Sequence, residues 1–423
     1  MNTYIAADSD WIDFAATVST SADQIAIAPG YLQREWEEGG RRYFRYEMDA
    51  KILNFFSFLS ARYEVRRDRY EDVAIEVYYH PGHDYNVDRM IDAVKKSLAY
   101  FEANFSPYQH RQVRILEFPR YATFAQSFPN TIPYSEAIGF IARVVDEEED
   151  IDYPFYVTAH EVAHQWWAHQ VIGGNVQGAT MLSESLAQYS SLMVMEQEYG
   201  AAQMRKFLKH ELRRYLQGRS RETKKEMPLM LVENQQYIHY QKGSLVFYAL
   251  KDYFGEDVVN AALRELIAAH AFKGPPFPTS RALVDILRAK APAKYAYMIE
   301  DLFETITLYD NKVIAAEFSE RDDGRFDVTI EAGVRKLRAD ELGNEEAAPL
   351  DDWVEVGVFA AAKEGEGDLG EPLYLEKRRF TAEEETIELV VDERPAQVGV
   401  DPYHKLIDRH IKDNLKGPTF TGT

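Results

Sequence analysis

Two histidines four residues apart, His160 and His164, flank Glu161 in an apolar stretch of the chain that ends in a tryptophan pair. Positions four apart share one face of an α-helix, so both imidazoles point to the same side. Two buried imidazoles and a buried carboxylate cost several kcal/mol unless a partner such as a metal ion satisfies them. The chain must therefore fold so that this helix is buried against a polar partner.

The spacing is typical of a helix that binds zinc, with Glu161 placed to hold a water molecule and accept its proton. A catalytic zinc site needs a third protein ligand, and the absence of cysteine excludes a thiolate. His169 lies five residues after His164 on the predicted helix, rotated off the metal face, which makes it the weaker candidate. Glu184 lies on the next predicted helix, 181–199, and a helix returning beside the first would supply a carboxylate. We predict one zinc ion per chain, with the ligands His160, His164 and Glu184.

The net charge of the chain indicates which classes of partner it can bind. Acidic residues outnumber basic ones 70 to 48 in 423 residues, for a net charge of −22. A nucleic-acid partner is therefore not expected, because binding a polyanion needs a basic face. The acidic run 146–150 is interpreted as a solvated loop rather than a calcium site, and the basic stretch 205–225 as a solvated helix face and loop. No apolar run reaches about 18 residues, so we expect no membrane span in this chain.

The patterning along the chain indicates an α+β multidomain protein. Residues 14–80 alternate like strands, 87–105 have helical spacing, and short strands are predicted at 113–118 and 137–145. From 154 to 271 the pattern is helical, and two further helices follow near 280–290 and 293–305. After about residue 311, short alternating segments predict a small β-sandwich-like domain.

Two segments resemble the gluzincin aminopeptidases, the family typified by aminopeptidase N and leukotriene hydrolase. Residues 160–166 read HEVAHQW, like that family's zinc helix, and residues 183–189 read SESLAQY, like its downstream glutamate segment. The family's usual spacing would put the third ligand at Ser183. We interpret the difference as a one-residue insertion in the loop 173–180, since loops absorb insertions more easily than helices.

Two further segments extend the resemblance. Residues 133–140 read PYSEAIGF, similar to the family's Gly-x-Met-Glu-Asn strand, although the leading glycine and trailing asparagine are not retained. This implies that Glu136 binds the free amino group of the substrate. Residues 240–243 read YQKG, similar to the family's Tyr-x-Lys-Gly, which implies that the hydroxyl of Tyr240 hydrogen-bonds the oxyanion of the tetrahedral intermediate.

The resemblance implies a zinc-dependent aminopeptidase that removes N-terminal residues from peptides. It implies three domains: a partial N-terminal β domain at 1–75, a thermolysin-like α/β catalytic domain with a helical lobe at 76–310, and the C-terminal β-sandwich-like domain at 311–423. The motifs look most like a bacterial branch fused to an ABC-transporter permease. In that case the chain is the soluble portion of a larger membrane protein, whereas its own composition selects no compartment.

Alternative functions stay open at this point. A catalytically silent module that binds or senses peptides for a transporter needs neither Glu161 nor Tyr240, and both are present. The missing glycine near Glu136 would suit endopeptidase-like action on longer peptides. A non-peptide substrate of the same site is the third alternative.

Overall fold

The chain folds into two compact units. The computed structural model describes residues 3–5, 8–144, 151–363 and 369–422, so the acidic run 146–150 lies outside the described residues. Unit 1 comprises Met1–Ala201, Met230–Gln235 and Phe254–Ala291, and unit 2 comprises Ala202–Leu229, Gln236–Tyr253 and Pro292–Thr423. The predicted α+β class is confirmed, with N-terminal strands, a helical region and C-terminal strands. The domain bounds 1–75, 76–310 and 311–423 stay predictions.

Unit 1 begins with short antiparallel strands whose apolar residues alternate into a core of Phe14, Phe44, Tyr46 and Ile52. The strands of unit 1 are β1 (Trp11–Ile12), β2 (Ala15–Ser21), β3 (Ile25–Ile27), β4 (Tyr31–Glu38), β5 (Arg41–Glu47), β6 (Ile52–Leu53), β7 (Leu59–Ala61), β8 (Glu64–Tyr70), β9 (Val73–Tyr79), β10 (Gln112–Phe118) and β11 (Thr131–Ser135). The last four form a sheet in the order β11-β10-β9-β8, in which β10 is parallel to both β9 and β11.

The helices of unit 1 include the predicted zinc helix and its neighbours. The first helix buries Met90, Val94, Leu98 and Phe101 at the predicted spacing. These helices are α1 (Val87–Asn104), α2 (Tyr153–Ala163), α3 (Glu184–Tyr199), α6 (Glu256–His270) and α7 (Ser280–Lys290), with a 3₁₀ turn at Ala179–Met181. Helix α2 packs against both α1 and α3, which places its histidines inside the unit.

Unit 2 combines two α-helices with two β-sheets. Its α-helices are α4 (Ala201–Arg219) and α5 (Gly243–Phe254), preceded by a π-helical turn at Tyr237–Lys242. The strands are β12 (Ile306–Glu320), β13 (Phe326–Ala339), β14 (Glu345–Ala347), β15 (Asp352–Phe359), β16 (Pro372–Phe380), β17 (Glu384–Val391), β18 (Gln397–Val400), β19 (Leu415–Lys416) and β20 (Thr419–Phe420). One sheet has the order β14-β13-β12-β20 with β17 also paired to β13, and the other has the order β16-β15-β18-β19.

One predicted strand is wrong. The strand lies at Thr131–Ser135, not at 137–145, and residues 136–141 form turns in which Ile138 and Gly139 donate their N–H groups to the carbonyl of Ser135. Pro133 is tolerated in this strand because β11 lies at the end of the sheet order, where a residue need not donate to the ladder. The helix predicted near 293–305 is instead a 3₁₀ turn, Ala293–Tyr295, and a π-helical turn, Glu300–Glu304.

The basic stretch 205–225 is only partly a solvated face. Arg205 is 9% exposed and donates from Nε to the carbonyl oxygen of Pro402 at 2.8 Å. Arg219 pairs with Glu226 at 2.6 Å and Glu345 at 3.0 Å. These two side chains therefore make contacts inside unit 2 and do not belong to a solvated face. In the part of the chain that the structure describes, no helix is both long and apolar enough to cross a membrane.

Candidate active site

Helix α2 is fixed at its start by a cap. The side chain of Asp152 accepts a hydrogen bond from the N–H of Phe155 at 3.1 Å, and Pro154 lies in the first turn. Asp152 also contacts Arg89 and accepts from the hydroxyl of Tyr199 at 2.6 Å. The helix is buried along almost its whole length, so its register relative to its neighbours is set by packing on every side.

Three donor atoms meet at the end of this helix. Nε2 of His160 lies 3.0 Å from Nε2 of His164, and Oε2 of Glu184 lies 3.4 Å and 3.2 Å from these two nitrogens. Zinc bonds of about 2.0–2.1 Å in a tetrahedron separate neighbouring ligand atoms by about 3.3 Å. The three distances thus fit three corners of a tetrahedral zinc site and leave the fourth corner open for a water molecule or a substrate.

The ring of His164 is oriented for metal binding. Its Nδ1 lies 3.0 Å from the carbonyl oxygen of Trp167, which can only accept, so Nδ1 carries the hydrogen. In the neutral ring Nε2 therefore keeps its lone pair and points at the other two donor atoms. A histidine that binds a metal commonly donates its other N–H to a carbonyl in this way.

The ionisation of the three groups is coupled. Burial lowers the pKa of His160. Burial acts in the same direction on His164, but the charges of Glu184 and Glu161 and the hydrogen bonds to Glu184 and Trp167 together outweigh it and raise the pKa of His164 to about 9. Burial also opposes ionisation of Glu184, but the two histidines hold the pKa of that carboxyl well below its usual range. Without a metal the cluster is thus stabilised by a proton on His164. A divalent cation would take the place of that proton.

Glu161 faces this cluster from the same helix. The residue is 5% exposed, and its Oε2 has no hydrogen-bond partner among the described residues. Burial raises the pKa of Glu161 to about 7, against the opposing effect of His164. A buried carboxylate with a free oxygen and a pKa near neutrality suits a general base that takes a proton and returns it.

The position of Glu184 depends on the loop before α3. Glu184 is the first residue of α3, where the positive end of the helix dipole favours a carboxylate. Earlier in the loop, Gly178 has φ +82°, and a Cβ there would lie 2.1 Å from the carbonyl oxygen of Met230. The loop that was predicted to carry the insertion is therefore held tightly in unit 1.

Glu136 belongs to a second cluster in unit 1. It follows the edge strand β11, and its Oε2 lies 3.9 Å from Nδ1 of His83. Its Oε1 accepts the backbone N–H of Arg120 at 3.1 Å. His83 in turn contacts Glu117, which lies on β10. Sequence reasoning missed His83 and Glu117, although a glutamate inside the apolar strand Gln112–Phe118 was a signal that a polar partner must be present.

The remaining two candidates lie elsewhere. Tyr240 is half-buried on the π-helical turn Tyr237–Lys242 of unit 2, whereas the other five predicted site residues belong to unit 1. His169 lies beyond the end of α2, not on it, and its Nε2 is 2.9 Å from the carbonyl oxygen of Ser127. It is not among the residues that cluster with His160.

The chain carries a peptidase family M1 domain. Residues 89–291 match the model of that domain, and they include His160, His164 and Glu184 as well as Glu117 and Glu136 of the second cluster. The predicted resemblance to the gluzincin aminopeptidases is therefore confirmed. Tyr240 also lies within the matched residues, but the match assigns no role to it. The role predicted for Tyr240 depends on the YQKG segment.

Two similar archaeal proteins carry the names of aminopeptidases. Over 163 residues, 37% of this chain, the sequence is 24% identical to "Probable aminopeptidase 2" of Sulfurisphaera tokodaii and 26% identical to "Leucyl aminopeptidase" of Saccharolobus solfataricus. Each match covers only 20% of the archaeal protein. The fold is similar to that of Legionella pneumophila aminopeptidase A, solved in complex with aspartic acid, with a TM-score of 0.62 and 14% identity over 95% of this chain and 45% of that one.

Proposed function

We propose that this protein is a zinc-dependent aminopeptidase that removes N-terminal residues from peptides. The observation that carries the proposal is the triangle formed by His160, His164 and Glu184, with Glu161 beside it, whose Oε2 has no hydrogen-bond partner among the described residues. A module that only binds peptides does not need such a base. The M1 family, whose peptidases depend on zinc in general, supplies the reaction class.

The chemistry follows from the residues of the chain. Zinc, when bound to His160, His164 and Glu184, would polarise the scissile carbonyl and make a water molecule more acidic. Glu161 accepts a proton from the attacking water and then delivers it to the amine that leaves. Its raised pKa favours the second transfer as well as the first, because the protonated form is accessible near neutral pH.

Two residues complete the proposal. Glu136 pairs with the α-ammonium of the substrate, which makes the enzyme count residues from the amino end; a charge-assisted contact of this kind is worth about 1.5–3 kcal/mol. The hydroxyl of Tyr240 donates to the oxyanion, an interaction that forms only as charge develops. Support for Tyr240 comes from the segment 240–243 and its order after the zinc helix.

The test combines zinc analysis with turnover. The purified chain is assayed for zinc by elemental analysis and for hydrolysis of alanyl and leucyl chromogenic amides, with and without a chelator. We expect one zinc per chain and release of the chromophore that the chelator abolishes and added zinc restores. Zinc without release from any amide or N-blocked peptide contradicts the enzyme and favours the silent module. Failure to retain zinc contradicts the ligand set, Glu184 first.

Endopeptidase-like action is the second candidate. Arg120 and His83 both contact the carboxylate of Glu136 and compete with a substrate ammonium, and Pro133 stands where the family has its glycine. Cleavage of an N-acetylated peptide at a rate similar to its free-amine counterpart would favour this candidate over the aminopeptidase. Hydrolysis of non-peptide esters or epoxides alone would favour the third alternative.

We also propose that the chain works as the soluble portion of a larger protein fused to an ABC-transporter permease, with the domain bounds 1–75, 76–310 and 311–423. The support is the resemblance carried by residues 164–167, 173–175 and 183–185, which read HQWW, GGN and SES. Antibodies against this chain should detect the native protein in the membrane fraction, at a mass well above 48.8 kDa. Detection of a protein of about 48.8 kDa in the soluble fraction contradicts the fusion.

A further inference from the structure

Unit 1 contains a cavity of about 500 Å³ apart from the two clusters above. The described residues that line it belong to neither cluster. Its walls are mostly apolar, and they include Trp11, Ile52, Leu53, Pro129 and Phe272. Pockets for small molecules in proteins have about this volume and combine apolar walls with a few polar groups. The cavity therefore has the size and the lining of a ligand site.

The walls are fixed by contacts within the unit. The ring centroids of Trp11 and Phe272 lie 5.9 Å apart, and Nε1 of Trp11 donates to the carbonyl oxygen of Lys273 at 3.1 Å. The N–H of Phe272 donates to the carbonyl oxygen of Gln170 at 2.8 Å, and Leu53 is fully buried. Because the walls are already formed, a ligand would spend little of its binding free energy on ordering them.

Two buried histidines supply polar groups to this cavity. His110 is 6% exposed and His169 is 3% exposed, and both line it. In each ring Nδ1 is buried and has no hydrogen-bond partner among the described residues. A buried polar atom without a partner costs free energy, which a ligand that forms the hydrogen bond recovers.

The hydrogen bond of His169 defines what its remaining nitrogen can do. Its Nε2 lies 2.9 Å from the carbonyl oxygen of Ser127, which can only accept, so Nε2 carries the hydrogen. In the neutral ring Nδ1 is therefore an acceptor and needs a donor. Ser127 is itself held, since its hydroxyl donates to the carbonyl oxygen of Glu161 at 2.8 Å and accepts from Nε2 of Gln165 at 2.7 Å. The ring of His169 is thus fixed as an acceptor for an O–H or N–H group.

The charges around the cavity favour a neutral ligand. Burial lowers the pKa of His110 to about 3 and the pKa of His169 to about 4, so both rings are neutral near pH 7. The ammonium of Lys51, also in the lining, is largely exposed and lies 3.9 Å from the carboxylate of Asp13. An ion would lose hydration between the apolar walls and find no opposite charge on the two neutral rings.

We propose that this cavity is a binding site for a neutral aromatic molecule that carries a hydroxyl group. The O–H donates to Nδ1 of His169, and the aromatic body packs against the rings of Trp11 and Phe272. A hydroxyl also suits Nδ1 of His110, because it can accept as well as donate. The site uses none of the groups assigned to zinc, proton transfer or amine binding, so its test does not depend on the proposed aminopeptidase activity.

The experiment measures the binding of three matched probes to the full chain at pH 7.0, by equilibrium dialysis with detection by ultraviolet absorbance. 2-Naphthol is the neutral hydroxyl compound, naphthalene lacks the hydroxyl, and 2-naphthoate carries a negative charge in its place. Two variants change the cavity: His169→Phe removes the acceptor, and Ala50→Trp puts a bulky side chain at an exposed lining position. Ala103→Trp, at an exposed position of α1 outside the lining, is the matched control. Circular dichroism checks that each variant is folded.

We expect 2-naphthol to bind about tenfold more tightly than naphthalene or 2-naphthoate, since it alone offers a donor without a charge. The dissociation constant of 2-naphthol should rise about tenfold in His169→Phe, whereas that of naphthalene should stay within about twofold. Ala50→Trp should weaken binding of both neutral probes at least fivefold, and Ala103→Trp should leave both within about twofold of the parent.

Equal affinity for 2-naphthol and naphthalene overturns the proposal, because it would mean that the hydroxyl is not recognised. Tighter binding of 2-naphthoate overturns the neutral class of ligand. Binding of 2-naphthol that neither His169→Phe nor Ala50→Trp weakens lies elsewhere and overturns the site, as does the absence of binding. If His169→Phe fails to fold, the comparison of Ala50→Trp with Ala103→Trp decides the site. Each of these outcomes leaves the proposed hydrolysis standing.

Discussion

At the scale of single residues, the site depends on carboxylates in three different environments. Glu184 is held ionised by two histidines, Glu161 is buried with a free oxygen, and Glu136 is flanked by basic groups. Three glutamates can thus act as ligand, base and ammonium partner because burial and neighbouring charge, rather than side-chain type, set their protonation.

Replacing Glu161 separates metal binding from catalysis. Glu161→Gln keeps the size of the side chain but removes the base, so we expect zinc content to stay at one per chain while turnover of alanyl amide falls about 10²–10⁴-fold. Glu265→Gln, an exposed change on α6, is the control and should leave turnover unaltered. Turnover of Glu161→Gln within tenfold of the parent would mean that another group is the base.

Replacing Glu184 tests the ligand set and the inserted loop residue together. Glu184→Gln removes the anionic ligand, and we expect zinc affinity, measured by competition with a chromogenic chelator, to fall more than about 100-fold. Ser183→Ala changes the position that the family's usual spacing would assign and should leave zinc affinity within about threefold. A larger loss of zinc affinity in Ser183→Ala than in Glu184→Gln would show that Glu184 is not the third ligand.

At the scale of elements, the loop between α2 and α3 decides where the third ligand lies. Gly178→Ala meets the carbonyl oxygen of Met230 and Oγ of Ser280 at 2.1 and 2.3 Å, in addition to the strain of φ +82°. We expect more than about 2 kcal/mol loss in the free energy of unfolding, from urea denaturation.

Gly255→Ala is the matched control for the loop. Its φ is +95° and its ψ 142°, a conformation adopted almost only by glycine, but a Cβ there has open space within 4 Å, so only the backbone strain of about 1–3 kcal/mol applies. Equal destabilisation by the two substitutions would show that strain alone, and not the close approach to Met230, restricts position 178.

The elements also show where periodicity succeeds and fails. Helix α1 and strand β10 agree with the predicted bounds 87–105 and 113–118 to within one residue at each end, because their apolar residues repeat regularly. The strand Thr131–Ser135 was missed because Pro133 conflicts with a strand by its local chemistry. It is tolerated because the backbone of Pro133 faces the segment 124–128, where its carbonyl accepts from Gln126, and not β10, which is a property of the sheet and not of the segment.

At the scale of the whole molecule, the metal and the pH act on stability together. In the metal-free protein the pKa of His164 is raised to about 9 and that of Glu161 to about 7, so at these two groups the folded state binds more protons than the unfolded state. The stability due to Glu161 is lost as pH rises toward about 7, and that due to His164 is lost as pH rises from about 6.5 through about 9. Below about pH 6.5 the lowered pKa values of His110, His160 and His169 act in the opposite sense, because burial keeps these rings neutral. Metal-free protein should therefore melt at lower temperature as pH increases from about 6.5 to 8.

Zinc should stabilise the folded protein more as pH rises, because it binds in place of the proton on His164. The rise in Tm on adding zinc should increase between pH 6.0 and 8.0, as ligands are deprotonated more easily. Thermal melts followed by circular dichroism, with and without zinc, measure both effects. In His164→Gln the dependence of the metal-free Tm on pH should be weaker and the zinc effect absent; a parallel profile in that variant would mean that other groups govern the trend.

The sequence by itself determined the parts of the site that lie within one helix or repeat a local period. His160, Glu161 and His164 come together because a helix brings every fourth residue to one face, and Glu184 was reached from the next helix and the family's motif. The tertiary structure alone decided that His83 and Glu117 lie beside Glu136. They are 53 and 19 positions from Glu136 along the chain, and only the register of three parallel strands, set by burial over the whole sheet, puts them at one end.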